Sequence, residues 1–70
     1  MNRWQLTDRE AESMDAIVEF GSSAKAAKSM GLSPRTVEIY LARAKKKMQT
    51  SHMVTAAIRW DRSKLELSWG

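Results

Sequence analysis

No cysteine occurs in the chain, and His52 is its one histidine. Without thiolates there is neither a disulfide staple nor a cysteine zinc site to hold the chain together. A domain of this length buries only about 60% of the surface that its unfolded form exposes, so it is expected to gain stability by pairing with another subunit. The lone histidine, the lack of a glycine-rich phosphate loop and the lack of any ligand-spaced cluster argue against an enzyme, a metal centre or a bound cofactor. No run of about 18 apolar residues is present, and no order of charged, apolar and small residues opens the chain as in a signal peptide. One cytoplasmic domain is therefore expected, in contact with no membrane.

What the sequence does have is positive charge, unevenly placed. Its net charge is +4. Five of the eight acids (Asp8, Glu10, Glu12, Asp15 and Glu19) precede Phe20. Lys25, Lys28, Arg35, Arg43, Lys45, Lys46 and Lys47 share the middle of the chain with a single acid, Glu38. A run of charge is ordinarily a solvated face, but a basic block beside a separate acidic one also suits a polyanionic partner.

Helix signals punctuate the chain. Thr7 can cap a first helix over about residues 8–20 and Glu10 can close a capping box, with Asp8, Glu10 and Glu12 suiting the positive end of its dipole and the acids placed on the solvent face. Ala11, Met14, Ile17 and Val18 form its apolar stripe, and Gly21 ends it. Ser23 is expected to cap a short second helix that carries Ala24, Ala26, Ala27 and Met30 and stops at Gly31. Ser33 caps a third, with Pro34 at its first position, where a missing N–H costs nothing, and it runs to about Met48. Thr50 or Ser51 starts a fourth helix from about His52 to Arg62. These elements predict an all-α, four-helix domain over 1–62 with a tail at 63–70, in which Leu65, Leu67 and Trp69 alternate like a short strand.

The spacing of Ala27, Gly31 and Val37 ties the second and third helices into one unit. Two helices that cross steeply need a small residue at their contact, a glycine where the turn goes left-handed and a branched apolar residue facing the core. Met30, Leu32 and Tyr40 supply the flanking apolar positions. This pattern predicts a helix-turn-helix.

On a wheel of the third helix, Val37, Leu41, Ala44 and Met48 form the core stripe. The other face carries Arg35, Ile39, Ala42, Arg43 and Lys46, with Glu38 at its margin. An isolated isoleucine among cations has no core to enter. In a DNA major groove, Ile39 and Ala42 can touch thymine methyls, Arg43 can take a guanine edge or a phosphate, and Glu38 can accept from a cytosine amino group. Ser33, Arg35, Thr36, Lys45, Lys46 and Lys47 are better placed for phosphates. Double-stranded DNA is thus the expected partner.

The fourth helix offers two apolar stripes. Val54, Ala57 and Ile58 are expected in the core, leaving Met53, Ala56 and Trp60 for a second protomer in a homodimer. The alternative is Trp60 packed on the tail. His52 is expected as an exposed residue at the helix start.

From Leu6 to about Trp60 the chain resembles the LuxR/GerE family of DNA-binding domains. The resemblance rests on Leu6-Thr7-x-Arg9-Glu10-x-Glu12, on Ala27, on Gly31-Leu32-Ser33-Pro34-Arg35-Thr36-Val37-Glu38-Ile39 and on Lys46-Lys47-Met48. It implies that Pro34 to Met48 enters the major groove and that the fourth helix forms the dimer contact. Tyr40 stands where the family usually has histidine, which implies a phosphate contact there. Glu19-Phe20-Gly21 replaces the usual Glu-Gly-Leu between the first two helices. The same stretch also resembles the fourth conserved region of sigma factors, through the Leu-Thr-x-Arg-Glu opening and Leu41 to Met48, which would make RNA polymerase the partner. A further alternative is an interaction protein that pairs with a longer regulator and blocks it, with Trp4, Trp60 and Trp69 in the interface.

Overall fold

The computed structural model describes the backbone of residues 4–69 and the side chains of residues 4–63. Among the described residues four helices follow one another: α1 (Asp8–Phe20), α2 (Ser23–Met30), α3 (Pro34–Lys47) and α4 (Met53–Trp69). The fold is all-α, as the punctuation of the sequence predicts.

α1 begins with the full capping box. Thr7 Oγ1 accepts from the Glu10 N–H at 3.2 Å, and Glu10 Oε1 accepts from the Thr7 N–H at 2.9 Å. Gly21, at φ 79°, closes the helix with its N–H on the Ile17 carbonyl. The cap of α2 is Ser22, one residue before the expected Ser23, and its hydroxyl accepts from the Lys25 N–H. At the other end of α2, the Leu32 N–H reaches the Ala27 carbonyl and the Gly31 N–H that of Lys28. This pairing needs a left-handed residue between the helices, and Gly31 provides it at φ 69°.

Among the described residues Leu6, Met14, Ala16, Ala26, Ala27, Val37, Leu41, Ala44, Met48, Ala56 and Trp60 are buried in one core cluster. α1 packs against each of the other helices, α2 against α3, and α3 against α4. Val37, Leu41, Ala44 and Met48 hold α3 by the predicted stripe. Ala27 and Val37 are fully enclosed where α2 meets α3. Of the α1 stripe, Met14 is buried and Ala11 and Ile17 are half-buried, but Val18 faces solvent.

The structure overturns the expectation for α4. Ala56 and Trp60 lie in the core and Met53 packs against it, whereas Val54 is 73% and Ile58 52% exposed. The methyl of Ala56 lets α4 approach closely, and Trp60 fills the space beside α1. Trp60 donates its indole N–H to Asp15 Oδ1 at 2.8 Å, and its ring centroid lies 6.1 Å from that of Trp4. Trp4 and Trp60 thus spend their area within the chain. The helix also runs beyond Arg62: Ser63 is buried, and the segment expected as a tail continues helical to Trp69. The side chains of Leu65, Leu67 and Trp69 lie outside the described residues.

Candidate nucleic-acid interface

α3 owes its start to Ser33, whose hydroxyl accepts from the Thr36 N–H at 3.2 Å and lies 2.9 Å from the Thr36 hydroxyl. Pro34 then occupies the first turn without an orphaned donor. With one face fixed in the core, the helix is a rigid platform for the side chains on the other.

That outward face carries the residues read from the wheel. Arg35, Glu38, Ala42, Arg43 and Lys46 are exposed, and Ile39 is 41% exposed among them. Ser33 is exposed, and Thr36, Tyr40 and Lys45 are half-buried along the margins. A branched aliphatic left half in water, between cations and on a rigid helix, is suited to contact with a partially apolar surface such as base edges. Lys45, Lys46 and Lys47 occupy the last turn of α3, where the helix dipole favours cations.

The end of α3 is held from two sides. Met48 caps it, and Gln49 follows at φ 58° so that the Thr50 N–H reaches the Lys45 carbonyl and the Gln49 N–H that of Lys46. This repeats the turn geometry of Gly31 without glycine, so the sequence gives no warning of it. Arg59 of α4 donates to the Met48 carbonyl at 3.3 Å. Thr50 caps the following turn by accepting from the His52 N–H at 3.2 Å, and His52 itself is exposed.

Two acids do not follow the expectation of a solvent-facing α1. Asp15 is half-buried against Trp60. Glu10 is 3% exposed, and its Oε1 accepts from Lys47 Nζ at 2.7 Å as well as from Thr7. Burial by itself raises the affinity of the Glu10 carboxyl for a proton. The hydrogen bonds from Lys47 and Thr7 and the charge of Lys47 outweigh burial and hold the group below the ordinary glutamate value. Lys47, expected at a phosphate, thus pairs with a buried carboxylate while its own side chain stays 39% exposed. Neither end of this pair was read as such from the sequence, because the partners are 37 residues apart.

Residues 4–60 match the family described as bacterial regulatory proteins, luxR family. The chain belongs to the LuxR family. Its helix-turn-helix is accordingly the DNA-binding module of a regulatory family, and α2 with α3 is the part that the family match and the geometry have in common. No curated protein and no solved structure matches the chain significantly. Among the described residues, no helix is long and apolar enough to cross a membrane.

Proposed function

We propose that this LuxR-family domain is a sequence-specific double-stranded DNA-binding transcription regulator, acting in the cytoplasm and without catalysis of its own. α3 enters the major groove. Glu38, Ile39, Ala42 and Arg43 read base edges, and Ser33, Arg35, Thr36, Tyr40, Lys45 and Lys46 hold phosphates on either side. The observation that carries this reading is the half-exposed Ile39 set among Arg35, Arg43 and Lys46, on a helix whose opposite face is locked into the core.

The regulator acts as a homodimer through α4, with the surface moved from Met53, Ala56 and Trp60 to the exposed side chains of Val54 and Ile58. Their exposure supports this, since two large aliphatics four residues apart lie on one helix face. A twofold pair would set two recognition helices about one turn of DNA apart. The same face also suits a longer relative as partner, in which case the chain titrates that regulator. The family match favours this account over a sigma-like promoter module.

Selection of bound duplexes from random DNA with the purified protein tests both parts. A palindromic consensus supports the dimeric reader. A single half-site supports a monomeric one, and no enrichment at all removes the DNA reading.

A further inference from the structure

We propose that Lys47 is an internal counter-ion and not a DNA contact, and that Glu10 is the positioning residue that withholds it and fixes the end of the recognition helix against α1. This rests on the DNA-binding reading above and specifies which cations take part. Lys45, Lys46 and Lys47 form one basic run, and sequence alone gives them equal claim to a phosphate. The structure separates them. Lys45 and Lys46 have no acid within ion-pair distance among the described residues, whereas Lys47 Nζ sits 2.7 Å from Glu10 Oε1.

The two partners differ in exposure, and this decides where the lysine stays. The Lys47 side chain is 39% exposed and can reach solvent, but that of Glu10 is 4% exposed and cannot. If Lys47 moved to a phosphate, it would leave a buried carboxylate without its cation, held by hydrogen bonds from Thr7 alone. Desolvating a charge without its counter-ion costs more than a solvent-exposed ion pair returns. Lys47 therefore remains on Glu10 when DNA binds. Arg43 lies one turn earlier on the same flank of α3 and is exposed, with no acid within ion-pair distance among the described residues. It remains available to the DNA.

The arrangement also has a mechanical role. A single oxygen, Glu10 Oε1, accepts from both the first turn of α1 and the last turn of α3. The inclination of the reading helix is thereby referred to the α1 cap, and Arg59 bound to the Met48 carbonyl braces the same end from α4.

The salt dependence of binding to mixed-sequence duplex DNA distinguishes a phosphate contact from a structural cation. Each phosphate neutralised contributes about 0.9 to the slope of log K against log salt, which amounts to about 3.5-fold between about 50 and 200 mM. Lys46→Met should lower the slope by about 0.9. Lys47→Met should leave it unchanged, whatever it does to affinity through the fold. Glu10→Gln, which keeps an oxygen for the Thr7 N–H, should release Lys47 and steepen the slope by up to about 0.9. A purely structural lysine predicts no such steepening.

Circular dichroism establishes that each variant is folded, and the Lys47→Met and Glu10→Gln arms cover one another should either fail to fold. Equal slope losses in Lys46→Met and Lys47→Met, or an unchanged slope in folded Glu10→Gln, would overturn the assignment. A folded wild type that binds no duplex at about 50 mM salt refutes the DNA-binding reading itself and this assignment with it, a result distinct from the other two.

Discussion

Trp60 separates two accounts of α4, and its substitution has a magnitude that the structure supplies. The side chain is 5% exposed, lies tilted against the Trp4 ring and donates to Asp15. Trp60→Phe keeps most of the ring but removes the indole N–H, at a cost of about 1 kcal/mol for the hydrogen bond and somewhat more for the lost ring volume. Trp60→Ala empties the site and should cost about 3 to 5 kcal/mol. A domain of this size has a total stability of roughly 4 to 10 kcal/mol, so the alanine variant loses a large part of it. Each kcal/mol moves the midpoint of a small domain by about 4 to 8 °C. Thermal unfolding by circular dichroism should therefore show a fall of roughly 5 to 15 °C for Trp60→Phe and a weakly folded or unfolded Trp60→Ala. Val54→Glu, at a position 73% exposed, should keep the wild-type midpoint of the monomer within a few degrees while abolishing self-association in sedimentation. Both measurements belong at one protein concentration, because a dimer adds its own stability. The reasoning is refuted if Trp60→Ala melts like wild type and loses only association, which would put Trp60 on the surface and Val54 inside.

Other substitutions test the remaining joints. Ile39→Ala and Arg43→Ala should change which bases are preferred in selected sites, by about 1 to 3 kcal/mol at one base pair for Arg43, while Lys46→Ala weakens all sequences alike; quantitative binding to a panel of single-base variants checks this. Gln49→Gly should stabilise the fold by about 1 kcal/mol, since Gln49 holds φ 58° without the freedom of glycine, and urea midpoints measure it. Gly31→Ala should cost about 1 to 2 kcal/mol from its φ of 69° alone, because nothing lies within 4 Å of the added methyl. Glu10 binds its proton less readily in the folded chain than in the unfolded one, so its contribution is complete above the ordinary glutamate value and disappears as pH falls through the lower folded value. Unfolding midpoints taken from about pH 7 down to 3 should fall more steeply for wild type than for Glu10→Gln, and parallel curves would show that the pair contributes nothing.

What could be read from the sequence and what could not divides along physical lines. Thr7 with Glu10, Ser33 with Pro34, and the glycines at 21 and 31 are local signals, and each marks an observed helix end. The core stripe of α3 was legible because Val37, Leu41, Ala44 and Met48 oppose a face rich in cations, so that only one side could be buried. α4 gave no such contrast. Met53, Ala56 and Trp60 and also Val54, Ala57 and Ile58 recur at helical spacing, and periodicity says that a stripe exists without saying which neighbour it meets. The decision comes from partners far along the chain, Asp15 and Trp4, which favour tryptophan over the β-branched pair. The same distance hid the Glu10 to Lys47 bond. A lysine in a basic run looks like its neighbours until the fold brings a buried carboxylate to one of them.

The central claim, that the outward face of α3 reads double-stranded DNA, is tested most directly by selecting bound sequences from random duplexes with wild type and with Arg43→Ala in parallel. A sequence motif enriched by wild type, and degraded at a single position within each half-site by the variant, is the predicted result. Enrichment by wild type that is identical in the variant and in Ile39→Ala would place the reading elsewhere on the protein, and no enrichment by folded wild type at low salt would contradict the claim outright.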